Sequence, residues 1–388
     1  MCIAFISFDQ FSEFPLIILD NRDEKIDRPT ISLSEWELGV GGAGEDGVSD
    51  QPKIRIFGGR DKLGGGTWFA ISDRGKFCVL LNSYSKNELF GQLKPLVKIT
   101  RGKIISDYLL LDVSPLDYIN KHLESQRDSY LPFKIIIGDI KTKENYFYDS
   151  HHYLGSKPAI EQEPDKLFLA SPSSSPIHIE PPLLVPGSSV DSDQDHIVSP
   201  LISPTLTSVN FNNSNNNKEK DSDNDKTTLA AKDLKSLTIK LSEQHQKMFG
   251  ISNYPVHWNT FKVENGKKQF EKTLQTLFNE NSNSNINELQ QSSTTMFHSN
   301  NEKDKDDFII DRLFQILINK ETDSQPPAPF ENINTASIFV NQYQSKYTGS
   351  THATVSSSIL LVDKNLNAKF VEWDHIHSSK HLVQFQIQ

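Results

Sequence analysis

The stretch MCIAFISFDQFSEFPLIILDNRDE occupies residues 1–24. It contains two apolar runs, residues 1–8 and 15–19, with a polar break between them. Two short apolar runs on either side of a polar loop predict a pair of neighbouring strands. Such pairing would place Cys2, at the start of the first strand, close to the polar residues that follow the second.

Cys2 is a candidate nucleophile in this arrangement. A small second residue usually permits removal of Met1, which would leave a thiol and a free α-amine together on Cys2. An α-amine has a reference pKa of roughly 7.7–8.0, so it can accept the thiol proton near neutral pH. Asp23 could fix the resulting ammonium, and Arg22 could pair with a substrate anion or with Asp23. The residues alone also allow Cys2 to be a small core residue, and residues 21–24 to be a strand-exit turn.

Several motifs in this chain occur together, in the same order, in one known family. They are Met1-Cys2-Ile3, Asn21-Arg22-Asp23-Glu24, Arg28-Pro29, Gly65-Gly66-Thr67-Trp68, Arg74-Gly75-Lys76, Leu81-Asn82, Gly250-Ile251-Ser252-Asn253 and Ile359-Leu360-Leu361-Val362-Asp363. Through them the chain resembles the NRDE family, also called the transport and Golgi organization protein 2 family. That family resembles N-terminal nucleophile (Ntn) hydrolases. The resemblance therefore implies an α+β fold, a four-layer αββα sandwich in which two β-sheets lie between two helical layers.

The resemblance also implies a set of site residues. The catalytic set is Cys2, Asp23, Asn82 and Asn253. The substrate-binding set is Asn21, Arg22, Glu24 and Trp68. In this scheme the amides of Asn82 and Asn253 hold a developing oxyanion. From the residues alone, Asn82 is also compatible with a turn and Asn253 with a helix cap.

The chain departs from the family pattern near this expected site. The family usually has Thr-Pro-Trp after the equivalent of Asn253, and here residues 257–258, His-Trp, are the nearest substitutes. The family commonly has Tyr-Gly-Thr-Arg before a C-terminal strand, but this chain has Val355 at the position of the arginine. Valine cannot pair with a carboxylate. His352 lies close by in sequence and is expected to be a solvated loop residue.

Composition limits the classes of function. The net charge of −10 argues against nucleic acid or an anionic membrane surface as the main partner. The chain contains two cysteines, Cys2 and Cys78, which implies no disulfide framework and favours a reducing compartment. Its apolar runs are shorter than the ~18–20 residues that span a bilayer. We therefore expect a cytoplasmic protein. The family resemblance implies that any contact with Golgi or mitochondria is peripheral. No Cys/His cluster has the spacing of a zinc site, so no metal site is expected.

The expected organisation is a single domain, residues 1–388, with two low-complexity insertions. Residues 171–225 and 281–307 are rich in Ser, Asn, Pro, Gln and Asp, and bury too little apolar area to offset their ordering entropy. Both are predicted to be disordered. Residues 29–52 are predicted to form a loop, because their G-x-G-x-x-G pattern follows no strand and opens no helix.

Apolar patterning predicts the other elements. The strands are predicted at residues 67–72, 77–81, 133–137, 146–148, 167–170, 356–362, 369–372 and 382–387. The helices are predicted at residues 96–111, after the cap Ser114, at residues 262–277 and after the cap Asp307.

Three classes of function remain open at this stage. The family is implicated in Golgi organisation, protein secretion and cytosolic haem and lipid homeostasis, so the resemblance favours a carrier of a small hydrophobic, acyl or haem-type ligand. In that reading no cofactor is required, and haem would be a ligand. The alternative enzyme would be a Cys-dependent Ntn amidase or thioesterase. The third class is an adaptor that docks partners through the two insertions.

Overall fold

The computed structural model describes residues 2–39, 53–83, 99–152, 235–243, 248–256, 260–278, 305–322, 336–345 and 349–388. All of them belong to one of the two units into which the chain divides, Met1–Ile160 with Ala230–Gln388. The second unit, Glu161–Leu229, lies outside the described residues. The same is true of the predicted strand at 167–170 and the predicted insertion at 171–225.

Antiparallel strands are the main regular structure in the described residues. In chain order they are β1 Ile3–Phe8, β2 Leu16–Lys25, β3 Thr30–Gly39, β4 Lys53–Asp61, β5 Phe69–Ser72, β6 Lys76–Asn82, β7 Phe133–Asp139, β8 Glu144–His152, β9 Lys235–Lys240, β10 Met248–Ser252, β11 Tyr343–Gln344, β12 Thr351–Val362, β13 Asn367–Asp374 and β14 Ser379–Gln386. Within the described ranges, the first sheet has the order β10-β1-β2-β12-β13-β14, with β11 beside β12. The second sheet follows chain order from β3 to β9.

The helices are α1 Gly102–Leu110, α2 Pro115–Tyr118, α3 Glu124–Gln126, α4 Phe261–Phe278 and α5 Lys305–Leu317. A π-helical turn, Ile119–Leu123, joins α2 to α3. Ser114 caps α2 by accepting a hydrogen bond from the Asp117 main-chain N–H at 3.1 Å, and Pro115 occupies its first position.

Three apolar clusters define the layers. The inner faces of the two sheets meet in the first cluster, where Ile18 and Leu360 of the first sheet pack with Phe57, Phe77 and Ile136 of the second. Each such side chain contributes roughly 1.5–3 kcal/mol when it is fully buried.

The other two clusters lie on the outer faces. Phe270 of α4 and Leu313 of α5 cover Ile17 of the first sheet. Ile105 of α1 and Ile119 of the π-helical turn cover the second. The order of layers is helix, sheet, sheet, helix, so the predicted α+β αββα architecture is confirmed.

Most predicted elements are confirmed. The helix predicted at 96–111 begins only at Gly102 and the strand predicted at 67–72 begins at Phe69, whereas most others are slightly longer than predicted. One alternative is excluded, and two predictions were wrong. Residues 21–24 continue β2, so the alternative of a strand-exit turn is excluded: β12 pairs with all four residues, and β1 pairs with Asn21. The predicted loop at 29–52 contains β3, which pairs with β4 as an edge strand. Asp307 does not cap α5. The helix begins at Lys305, inside the predicted insertion 281–307, and Asp307 instead pairs with Lys369 at 2.6 Å.

Candidate functional site

The Asn-Arg-Asp-Glu motif lies on β2, between β1 and β12 in the first sheet. Ile3 of β1 and Ser357 of β12 both pair with Asn21 across the strands. Three of the four motif side chains are buried, although they are polar. A buried polar group is costly unless it is hydrogen-bonded, and β12 supplies hydroxyl groups at the matching positions.

The Asn21 side chain makes its hydrogen bonds on the face of the first sheet that the helices cover. Its amide nitrogen donates to the main-chain oxygens of Leu317 at 2.8 Å and Ile338 at 3.0 Å. Its amide oxygen accepts a hydrogen bond from Ser357 at 2.6 Å. Neighbouring strand residues point to opposite faces, so Asn21 and Arg22 are directed to different layers. The structure does not bring Asn21 to the cavity described below, and its predicted substrate contact stays a prediction.

Asp23 contacts both the thiol and β12. The Cys2 Sγ donates to the main-chain oxygen of Asp23 at 3.7 Å. The carboxylate accepts a hydrogen bond from the Thr354 hydroxyl at 2.6 Å. Thr354 in turn accepts one from the main-chain N–H of Val340 at 2.8 Å. Asp23 is therefore held in place by β12, with its main chain against the sulfur.

The Cys2 thiol is buried and protonated at neutral pH. Its exposed fraction is 9%. The pKa of Cys2 is raised to about 11, mainly by burial; the positive charge of the N-terminus lowers it, and the carboxylates of Asp23 and Asp20 raise it. A thiolate is the nucleophilic form of cysteine, so catalysis by Cys2 requires a base that removes its proton.

Arg22 lies between an aromatic ring and two buried acids. Its guanidinium stacks 4.2 Å from the centroid of Trp68, a contact worth roughly 0.5–2 kcal/mol. Burial and Asp23 raise the pKa of Asp20 well above its usual range, while Arg22 lowers it. Burial raises the pKa of Glu372 to about 7, and its carboxylate accepts a hydrogen bond from the Leu33 main-chain N–H at 2.9 Å.

A cavity of about 240 Å³ opens beside the thiol. Its wall includes five of the predicted site residues, namely Cys2, Arg22, Glu24, Trp68 and Asn82. Leu80 adds an apolar surface next to Asn82. We call this space the Cys2 cavity. It combines residues of the first sheet (Cys2, Arg22, Glu24) with residues at the end of β6 in the second.

Asn253 lies behind the Cys2 cavity, where it holds Asn82. It follows β10, whose last residue pairs with Ile3. Its amide nitrogen donates to the main-chain oxygen of Asn82. Its amide oxygen is buried without a hydrogen-bond partner among the described residues. The oxyanion roles of Asn82 and Asn253 stay predictions.

Sequence reasoning missed several residues of the cavity wall. Arg28 and Asp61 form an ion pair at 2.5 Å there, and Arg101 lies at the start of α1. Arg28 belongs to a family motif quoted above, which was the available signal. No sequence signal indicated Arg101, because it reaches the cavity wall only through a close main-chain contact between Gly66 and Gly102. A Cβ atom on Gly66 would lie 2.3 Å from the carbonyl carbon of Gly102.

Two departures from the family pattern can be located. Val355 lies at an irregularity in the pairing of β12 and lines a smaller space on the far side of Arg22 and Trp68. His352 was predicted to be a solvated loop residue. It instead lies within β12 and stacks on Tyr343, with ring centroids 5.9 Å apart. Residues 257–258 are outside the described ranges.

The family model described as Transport and Golgi organisation 2 matches residues 1–178 and 200–376. The chain belongs to this family. A human transport and Golgi organization protein 2 homolog is 30% identical over 173 residues, which cover 44% of this chain and 54% of the human protein. The Drosophila melanogaster transport and Golgi organization protein 2 is 35% identical over 115 residues, covering 28% and 35% of the two chains. The chain thus spans about half the length of the mammalian relatives it matches.

Two solved structures align over most of the chain at low similarity. A Caenorhabditis elegans ortholog of N-acylethanolamine-hydrolyzing acid amidase covers 93% of this chain and 92% of its own, at 10% identity and a TM-score of 0.34. A mutant of the Clostridium perfringens conjugated bile acid hydrolase covers 99% and 92%, at 9% identity and a TM-score of 0.37. Neither likeness is close enough to carry an argument about function. Among the described helices, none combines the length and hydropathy needed to cross a bilayer.

Proposed function

We propose that this member of the Transport and Golgi organisation 2 family binds a small acyl-type or other hydrophobic ligand in the Cys2 cavity. On this proposal it acts as a cytoplasmic carrier, in contact with Golgi or mitochondria. Family membership supports a role in Golgi organisation, protein secretion and the homeostasis of cytosolic haem and lipid. The observation that carries the proposal is the cavity itself, which joins an apolar wall to Arg22 and Trp68.

The protonation state of Cys2 favours binding over catalysis. A thiol with a pKa of about 11 is a poor nucleophile at pH 7. The Asn253 amide nitrogen already donates a hydrogen bond to the Asn82 main-chain oxygen, so one of the two predicted oxyanion donors is used in a structural contact. A binding protein needs neither a thiolate nor a free pair of amide donors.

The size of the cavity bears on the ligand class. Pockets for drug-sized ligands usually have volumes of roughly 300–1,000 Å³. At about 240 Å³, the Cys2 cavity can take a short acyl segment or a head group. It is too small to enclose haem, and the buried, protonated thiol is a weak ligand for iron, so haem would bind only at the mouth.

Ligand titration tests the carrier proposal. We expect saturable binding of a short-chain acyl-CoA such as butyryl-CoA, and weaker or no binding of haemin, measured by isothermal titration calorimetry. Thr100 is an exposed residue of the cavity wall, so Thr100→Trp should narrow the mouth and weaken binding at least tenfold. Ser125→Trp, an exposed substitution in α3, is the matched control and should leave binding unchanged. Binding that ignores Thr100→Trp would contradict the proposal.

The second candidate is a Cys-dependent Ntn amidase or thioesterase. It is supported by one observation: the Cys2 thiol and Asn82 lie on the wall of the same cavity. The thiol would attack an acyl carbon and pass its proton to the α-amine of Cys2, freed by removal of Met1, and the amine or thiol of the substrate would leave with that proton. Water would then hydrolyse the Cys2 thioester, releasing the carboxylic acid and restoring the thiol.

Two measurements test the enzyme candidate. Intact mass must show that Met1 is removed and that the amine is unmodified, and a retained Met1 or an acetyl group excludes the mechanism. Turnover of a thioester probe should fall in both Cys2→Ser and Cys2→Ala, with the alanine variant slower. The adaptor candidate depends on residues outside the described ranges, and deletion of residues 171–225 tests it: a preserved cellular function excludes this insertion as the docking segment.

A further inference from the structure

Cys2 and Asn82 lie on different sheets, so strand register does not fix their separation. Cys2 precedes β1 in the first sheet, and Asn82 ends β6 in the second. The contacts that join the two sheets at this end must therefore set the width of the Cys2 cavity.

Lys134 makes such a contact. It lies on β7 of the second sheet and is fully buried. Its ammonium donates to the main-chain oxygens of Ser252 at 3.1 Å, Asn253 at 3.3 Å and Tyr254. These three residues end and follow β10 in the first sheet. One side chain thus satisfies three consecutive carbonyls that the β10 pairing leaves available.

The contact of Lys134 continues to the cavity wall through Asn253. Lys134 pairs with Leu81 across β6 and β7, one residue from Asn82. Asn253, whose main chain Lys134 holds, donates its amide to the main-chain oxygen of Asn82. Two sets of hydrogen bonds therefore join the sheets here. In one, Lys134 of the second sheet donates to the chain that ends β10; in the other, Asn253 after β10 donates to Asn82 of the second sheet. On the first-sheet side, β10 pairs with β1, which leads directly to Cys2.

The positive charge of Lys134 strengthens its hydrogen bonds to the three carbonyls. A hydrogen bond to a charged donor contributes about 1.5–3 times as much as one between neutral groups. Burial lowers the pKa of Lys134 to about 8, while Asp149, its register partner on β8, raises it. The ammonium form therefore predominates at pH 7.

We propose that Lys134 is a positioning residue for the Cys2 cavity, and that it acts through Asn253 to fix the distance between Cys2 and Asn82. The proposal deepens, and in its functional meaning rests on, the binding role assigned to that cavity. Lys134 itself does not line the cavity, so it would touch no ligand.

The rate at which iodoacetamide alkylates each cysteine, measured by peptide mass spectrometry, tests this positioning role without any ligand. Cys2 lies on the cavity wall, whereas Cys78 is fully buried in the core outside the second sheet. The Cys2 rate therefore reports local opening, and the Cys78 rate reports unfolding of the whole unit. Lys134→Met should increase the Cys2 rate about tenfold relative to the Cys78 rate, because the three carbonyls lose their donor.

Lys76 offers a matched control. It is also a buried lysine that donates to main-chain oxygens, of Leu111 and, at 2.7 Å, of Val113, but it lies away from the cavity. Lys76→Met removes the same kind of buried donor and should leave the Cys2 rate unchanged. Lys134→Gln keeps one donating group, so it should give a smaller increase, and it replaces Lys134→Met if the methionine variant does not fold.

A double-mutant cycle tests the path through Asn253. If Lys134 acts through Asn253, Asn253→Ala should itself increase the Cys2 rate, and adding a Lys134 substitution should increase it little further. Additive effects, equal increases at Cys2 and Cys78, or an unchanged Cys2 rate would each overturn the proposal. These rates need no ligand. Failure of ligand binding with a positive cycle would therefore refute the carrier function and leave the positioning role intact.

Discussion

The two cysteines provide a comparison between two regions of the molecule. Cys78 lies among apolar side chains between the second sheet and its outer helices, and burial alone raises its pKa. Cys2 lies between the sheets, where it donates to Asp23 and faces a cavity that contains Arg22. The same side chain, similarly buried, is thus surrounded in one region by hydrocarbon and in the other by polar groups.

The difference shows what burial of a thiol does and does not indicate. Burial raises the pKa in both regions, so a raised pKa alone does not identify a functional cysteine. The polar neighbours separate them, because a stable core rarely retains a buried cluster of acids and a guanidinium without a further role. The Cys2 region is the candidate site on this ground.

The largest expected effect is a difference in thiol reactivity. In the unmodified protein at pH 8.5, we expect iodoacetamide to label Cys2 at least about 100-fold faster than Cys78, because Cys78 becomes accessible only on unfolding. Peptide mass spectrometry measures both rates in one sample. Equal rates would remove the distinction between the two regions.

A smaller effect should appear in the pH dependence of stability, through Glu372. Its folded pKa of about 7 lies above the value of 4.5 expected for the unfolded chain. The stability that Glu372 contributes is therefore complete below pH 4.5 and is lost as the pH rises to 7. Glu372→Gln mimics the protonated form, so it should raise the free energy of unfolding by about 3 kcal/mol at pH 8 and leave it nearly unchanged at pH 4.5.

Urea denaturation between pH 4.5 and 8 measures this effect, and Asp374 provides a control of opposite sign. Burial raises the pKa of Asp374, but hydrogen bonds from His377 outweigh burial and leave it below its usual value. Asp374→Asn should therefore destabilise the protein at neutral pH. A stabilising Asp374→Asn, or a Glu372→Gln effect that does not depend on pH, would show that the acids around Arg22 are solvated like surface groups.

The smallest expected effect is the difference in unfolding free energy between the two serine variants, Cys78→Ser and Cys2→Ser. Cys78→Ser buries a hydroxyl in an apolar core and should cost about 1–2 kcal/mol of unfolding free energy. Cys2→Ser should cost less, by about 1 kcal/mol, because its hydroxyl can donate to the Asp23 main chain as the thiol does. Denaturant melts of both variants measure the difference. A larger cost at Cys2 would mean that its surroundings are effectively apolar.

Apolar patterning was sufficient for the layers, but not for the details of the site. The strands and helices with clear periodicity were predicted, because burial of one face dictates them. β2 was cut short, since residues 21–24 are polar and the hydroxyls that satisfy them come from β12, more than three hundred positions away. The same long-range partners direct Asn21 away from the cavity.

The roles of Lys134 and Arg101 lay beyond any local pattern. Lys134 appears in the sequence as a polar residue within an apolar strand, which by itself indicates a solvent-facing position. Its burial depends on three carbonyls that follow β10. Arg101 reaches the cavity through a main-chain contact between Gly66 and Gly102. The family motifs indicated the correct neighbourhood, and only the packing of the two sheets shows which side chains meet there.

The most direct test of the central claim is protection of Cys2 by ligand. The rate of Cys2 alkylation is measured in the full chain while butyryl-CoA is titrated, with Cys78 as the internal reference. We predict that the Cys2 rate falls with the same saturation curve as binding, that the Cys78 rate stays constant, and that Thr100→Trp weakens both binding and protection at least tenfold. Saturable binding with an unchanged Cys2 rate would place the ligand elsewhere and contradict the account.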